Sequence, residues 1–195
     1  MGVRLQILGP IILIAAILAA VGWWIFWAYF DTYHLATVNA GVLYRDGVRD
    51  LHEFELAAKK THVRTVVSLV DDQEITHTPF TDELAYCQAN GIKVIRLPVP
   101  LGGWPRGDQI SQFLAIARDP SRQPVLVHCA QGVRRTGMMV AAYQRSVLKF
   151  DKSQTTAAML SFGHSQRTVG DVLRFIEAYD PQTEQMTAEM PMSSE

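Results

Sequence analysis

Cys129 and Arg135 stand six positions apart in the run His128-Cys129-Ala130-Gln131-Gly132-Val133-Arg134-Arg135-Thr136-Gly137. An apolar segment, Pro124-Val125-Leu126-Val127, leads into it, and a helix-forming one, Met138-Met139-Val140-Ala141-Ala142-Tyr143, leads out. The order is strand, tight loop, helix. At a helix N-terminus the backbone N–H groups lack intrahelical partners and attract an anion, aided by the helix dipole. The same field lowers the pKa of a thiol, so Cys129 is expected to be a nucleophilic thiolate. Arg135 offers a planar fork that clasps two phosphate oxygens. Gly132 lets the loop turn with its amides inward, which makes the backbone of Ala130, Gln131, Gly132, Val133, Arg134 and Arg135 a phosphate cradle. A buried structural cysteine beside a solvated arginine does not account for the glycine, the histidine and the Thr-Gly together.

Cys-x5-Arg followed by Thr-Gly resembles the signature of the cysteine-dependent protein tyrosine and dual-specificity phosphatases. Within that superfamily the chain looks most like the small bacterial and fungal dual-specificity-like branch. Its loops often read His-Cys-x-x-Gly-x-x-Arg-Thr-Gly, and its domains open with Gly-x-x-Tyr-Arg, here Gly41-Val42-Leu43-Tyr44-Arg45. The resemblance spans roughly residues 38–180. It implies a phosphocysteine intermediate and a supporting role for His128, which sets the thiolate's surroundings. It further implies that Thr136 hydrogen-bonds the departing sulfur. Arg134, a second basic residue at the rim, suggests a multiply charged substrate, with a solvated charge as the alternative.

The resemblance also implies an aspartate that protonates the leaving oxygen, and here the pattern departs. The expected segment, Leu97-Pro98-Val99-Pro100-Leu101-Gly102-Gly103-Trp104, has no carboxylate. Asp108 is the nearest candidate, although it also suits a helix start. Asp71 and Asp72, after the strand Thr65-Val66-Val67-Ser68-Leu69-Val70, are the others. A site with no aspartate acid would still cleave good leaving groups such as a pyrophosphate or acyl phosphate.

Other elements must carry this loop. Helical spacing is expected over 50–60, with Asp50 as N-cap, over 81–90, and from Gly107. It recurs over 137–148, 153–162 and 169–179. Strands are expected at 41–45, 65–70, 93–97 and 124–127. Continuous apolar strands alternating with helices predict an α/β fold with a mostly parallel sheet flanked by helices, of the protein tyrosine phosphatase type. The site then lies at the C-terminal strand ends.

The 195-residue chain carries a formal net charge of −1 and two cysteines. No basic tract points to nucleic acid, no metal-spaced Cys/His set appears, and no cofactor is called for. Two cysteines make no disulfide framework. Residues 5–30 contain no charged side chain, and Trp23, Trp24, Trp27 and Tyr29 cluster at one end. That run predicts one transmembrane anchor, with residues 1–4 as an N-terminal tail. A cleaved signal peptide fits less well, since the apolar run is long and lacks a clean Ala-x-Ala site. The lone Arg4 favours a non-cytoplasmic catalytic domain, whereas a reduced catalytic cysteine favours the cytoplasm. Residues 31–37 read as linker, 38–180 as the domain, and 181–195 as a disordered tail. The expected partners are a lipid bilayer through 5–30 and a phosphorylated protein, phospholipid or inositol phosphate. A phosphate-binding pseudophosphatase and a sulfurtransferase are the rivals.

Overall fold

The computed structural model describes residues 2–30, 32–160 and 162–187; for 2–8, 11, 25–30, 166 and 167 it describes the backbone alone. The chain divides into two units, residues 1–31 and 32–195.

The first unit is a helix, α1, Gly2–Phe30, with Pro10 inside it. The expected transmembrane anchor over 5–30 is overturned, and with it the bilayer partner and the single-pass location. Among the described residues, no helix is long and apolar enough to cross a membrane.

The second unit is an α/β sandwich. Its sheet comprises β1 (Ala36–Asn39), β2 (Leu43–Gly47), β3 (Thr65–Ser68), β4 (Lys93–Arg96) and β5 (Val125–Cys129), in the order β1-β2-β5-β3-β4. β2, β5, β3 and β4 are mutually parallel, and β1 is antiparallel to β2, so the sheet is mixed. β5 is central and buried at every position, as an apolar strand covered on both faces must be.

The alternation of side chains along β5 divides the core. Val125, Val127 and Cys129 face the layer formed by α4 (Gly107–Arg118), α5 (Arg134–Ser146), α6 (Lys152–Met159) and α7 (Gln166–Ala178). Leu126 faces the layer formed by α2 (Leu51–Thr61) and α3 (Phe80–Ala89). This period of two places Cys129 on the α5 side and His128 on the α2/α3 side.

Asp50 caps α2 by accepting the Glu53 N–H at 2.9 Å. Regular structure flanks the helices and strands above. Ala36–Asn39, across the border between the expected linker and the domain, forms the edge strand β1. In the tail, Asp180 accepts from the Gln182 N–H and the Thr183 hydroxyl, each at 2.9 Å. That turn lets β7 (Gln185–Met186) pair with β6 (Tyr179–Asp180), while Glu184 meets Arg118 at 2.5 Å. Residues 188–195 of the expected tail lie outside the described residues.

Candidate active site

β5 ends at Cys129 and α5 begins at Arg134, so the loop between them sits at a strand's C-terminal end and a helix's N-terminal end. Its carbonyls are accounted for one by one. The Val48 N–H reaches the Cys129 and Ala130 oxygens at 3.3 and 3.0 Å. His34 Nδ1 donates to the Gln131 oxygen at 2.7 Å. Arg45 Nη2 donates to the Gly132 oxygen at 2.6 Å and the Val133 oxygen at 3.4 Å, and the Gly137 N–H also reaches Val133 at 2.8 Å. In a trans peptide the N–H points opposite to the C=O. Holding five successive carbonyls outward therefore turns the amides of residues 130–134 inward, into an anion nest.

Two glycines let this loop lie against the end of β2. A Cβ on Gly132, whose φ is +68°, would stand 2.4 Å from the Asp46 oxygen; one on Gly47 would stand 2.6 Å from the Gln131 backbone. Neither backbone can give way, so both positions require glycine.

Cys129 is buried, and burial by itself pushes its thiol up. Arg135, the Thr136 hydroxyl and N–H, and the Gly132 N–H together outweigh that and hold it below its ordinary value. The Gly132 N–H is 3.2 Å from Sγ. Cys87 shows the contrast: buried in α3 beside Glu83 with no such donors, its thiol is pushed up to about 12. One residue type thus gives an inert thiol and a stabilised thiolate in the same chain.

Arg135 is 6 % exposed and held from behind. Nη1 donates to Glu74 Oε2 at 2.5 Å and Nη2 to Glu74 Oε1 at 3.0 Å. Nη1 also lies 3.3 Å from the Val99 oxygen. A carboxylate gripping both outer nitrogens fixes the guanidinium plane beside the thiolate.

Arg134 is placed differently from a free rim charge. Nε donates to Asp171 Oδ2 at 2.6 Å, Nη1 to the Gly103 oxygen at 2.8 Å and Nη2 to the Gly102 oxygen at 2.6 Å. It ties the loop after β4 to α7.

Each candidate aspartate is engaged by other groups of the chain. Asp108, 69 % exposed, accepts from Arg106 Nε and Nη2 at 3.0 and 2.9 Å. That contact, above all, holds its carboxyl below the usual range. Asp71 accepts the Glu74 and Gln73 N–H groups at 2.9 Å each and the Leu101 N–H at 3.3 Å, and is likewise lowered. Asp72 pairs with Arg96 at 2.7 Å. Among the described residues no group of His, Cys, Asp and Glu could hold a metal ion.

Arg45, the last residue of the Gly41–Arg45 element, and several residues that the sequence did not single out complete the site. Arg45 is fully buried on the α5 side, with its guanidinium 3.8 Å from the Phe162 ring centroid. Burial lowers it to about 10, with Cys129 acting in the opposite sense. Glu74, His34, Asp46 and Glu83 are the others. Arg45 is signalled by the Gly-x-x-Tyr-Arg element, and Asp46 by its charge within a strand that is otherwise buried.

Asp46 lies opposite His128 in the β2–β5 register and is 1 % exposed. Burial pushes its carboxyl well above the usual range. The unfolded side chain ionises near pH 3.9, so holding the proton in the folded state costs stability that grows as pH rises above that value. Asp46→Asn is therefore expected to raise Tm by a few degrees at about pH 8 and by much less at about pH 4. Equal shifts at both pH values would show that the folded carboxyl is ionised.

Comparisons with known proteins agree with this geometry. Residues 57–177 match the family described as PTP-NADK, DSP-PTPase phosphatase fused to NAD+ kinase. The inositol diphosphatase DSP1 of Oryza sativa subsp. japonica is 29 % identical over 158 residues, 75 % of this chain and 64 % of that protein. The core catalytic domain of the PP-IP phosphatase SIW14 from S. cerevisiae, in complex with citrate, superimposes with a TM-score of 0.64 at 19 % identity. The match covers 76 % of this chain and 86 % of that one. A cysteine-to-serine form of P. aeruginosa TpbA in complex with pTyr gives 0.62 at 22 %, covering 78 % and 88 %. The chain spans 6 % to 64 % of the length of the curated relatives it matches. With the family match covering more than half of its length, the chain belongs to the DSP-PTPase family, within the cysteine-dependent dual-specificity phosphatase superfamily.

Proposed function

We propose that this protein is a phosphatase acting through a phosphocysteine on Cys129, and that its substrate is a phosphoanhydride on a polyanionic head group, of the inositol diphosphate class. The observation that carries the reaction is the outward tethering of five loop carbonyls around a stabilised thiolate. The thiolate attacks the terminal phosphorus in line, and the bridging P–O bond breaks with its electron pair going to the leaving phosphate. The inward amides and Arg135 stabilise the charge on the equatorial oxygens. Water then attacks the thiophosphate, releasing orthophosphate, a proton and the thiolate. Thr136 donates to the departing sulfur.

The substrate class follows from leaving-group chemistry. An alkoxide needs a proton to depart, and other partners hold the Asp108 and Asp71 carboxyls below the usual range, while Asp72 is paired with Arg96. A phosphate leaving group needs none. The likeness to proteins described as an inositol diphosphatase and a PP-IP phosphatase supports the same class.

The test compares a diphosphoinositol polyphosphate, an aryl phosphate and an alkyl phosphate, in the wild type and Asp108→Asn. The alkyl ester is expected to be slower by about 10²-fold or more, and Asp108→Asn to leave all three rates little changed. A loss in Asp108→Asn confined to the alkyl ester would return Asp108 to the role of acid. Comparable rates on all three wild-type substrates would overturn the anhydride preference. Binding without turnover of any of them would leave a pseudophosphatase, and turnover of thiosulfate alone a sulfurtransferase.

A further inference from the structure

Behind the nucleophile, on the opposite face of the sheet, lies a sealed cluster that the reaction scheme above does not use. His128, Glu83 and Asp46 are 0 %, 0 % and 1 % exposed. Glu83 Oε1, on α3, is 2.9 Å from His128 Nε2. Asp46, on β2, and Ser68, on β3, flank His128 in register, and the Phe54 ring of α2 lies 6.2 Å from the imidazole, centroid to centroid. Glu53 of α2 acts on Asp46, and Cys87 lies within the field of Glu83 on α3.

A carboxylate shut away from water needs a cation or a proton. Among the described residues, the only basic side chain paired with Glu83 is His128. Burial keeps Asp46 protonated, so that carboxyl adds no second negative charge. The cluster then balances as one carboxylate and one imidazolium. That imidazolium is joined through a single peptide unit to Cys129.

We propose that Glu83 is a positioning residue for the reaction: it holds His128 as an imidazolium, whose charge stabilises the Cys129 thiolate from behind the sheet. Burial works against a charged His128, and Glu83, with the Cys129 field beside it, reverses that and leaves the imidazole above its ordinary value. Arg135 and the loop amides act on the sulfur from the front, and Glu83 acts from the back through His128. The proposal rests on Cys129 being the nucleophile, but alkylation reads the thiolate without any phosphatase turnover, so the two ideas fail separately.

The experiment is the pH dependence of iodoacetamide alkylation of Cys129 in the wild type and in Glu83→Gln, which keeps the shape and removes the charge. The midpoint is expected to rise by about one pH unit, a tenfold loss of thiolate below it. The acid limb of kcat/KM for an aryl phosphate should move with it. His128→Asn should give a similar shift, and adding Glu83→Gln to His128→Asn should give no further one. A folded Glu83→Gln protein with an unmoved midpoint overturns the proposal and leaves Glu83 a packing element. Should Glu83→Gln fail to fold, the ¹⁵N signals of the His128 imidazole in the wild type decide. An imidazolium at neutral pH is required, and a neutral ring there overturns the proposal.

Discussion

Cys129→Ser is expected to lower kcat by about 10⁴-fold or more on every substrate while leaving phosphate affinity nearly intact. The thiolate is available because Arg135, Thr136 and the Gly132 N–H overcome its burial. A serine hydroxyl in the same place stays protonated and is a far weaker nucleophile. Affinity survives because the nest is built by other groups. Val48, His34 and Arg45 hold the loop carbonyls whatever stands at 129. Orthophosphate or vanadate binding to the serine variant, beside its kcat, checks both halves. Turnover above the uncatalysed rate in Cys129→Ser would remove the cysteine from the mechanism. Cys87→Ser serves as the control, since that buried thiol is pushed up to about 12 and is not expected to react.

Arg135→Lys should lower kcat/KM by about 10²–10³-fold although the charge is kept. The guanidinium is gripped through two nitrogens by Glu74 and touches the Val99 carbonyl. Its plane is thereby set before substrate arrives. An ammonium cannot hold both Glu74 oxygens and still present a fork to phosphate. The loss belongs in kcat more than in KM, because the contact strengthens as charge develops on the transferring group. Near-normal kcat/KM in the lysine variant would mean that Arg135 is not a phosphate ligand.

The nucleophile loop was legible in the sequence because everything that defines it is contiguous. The apolar strand, the Gly132 turn and the α5 run adjoin one another, and local propensity agrees with the tertiary arrangement. The residues that hold the loop open were not legible. His34, Arg45 and Glu74 reach their partners across 97, 87 and 61 positions of sequence. His34 and Glu74, taken singly, read as solvated surface groups, and Arg45 was legible as part of the Gly41–Arg45 element but not as a brace of the loop. Glu83 falls in the first turn of α3, where an acidic residue is expected for the helix dipole alone.

Arg134 shows the same limit from the other side. Beside Arg135 it reads as a rim charge, yet three protein acceptors engage its donors. Asp108 reads as a cap or an acid, and the neighbouring Arg106 side chain claims both its oxygens. The apolar run at 5–30 suggested a span from composition. Among the described residues no helix has the length and apolarity to cross a membrane.

The central claim is a covalent phosphoenzyme on Cys129, and the most direct measurement is acid quench during turnover followed by mass spectrometry of the peptide that carries it. The account predicts a phosphoryl group on the Cys129 sulfur that appears before product, decays as orthophosphate is released, and is absent from Cys129→Ser. Sustained turnover with no adduct at Cys129, or with the phosphoryl group on another residue, would contradict it.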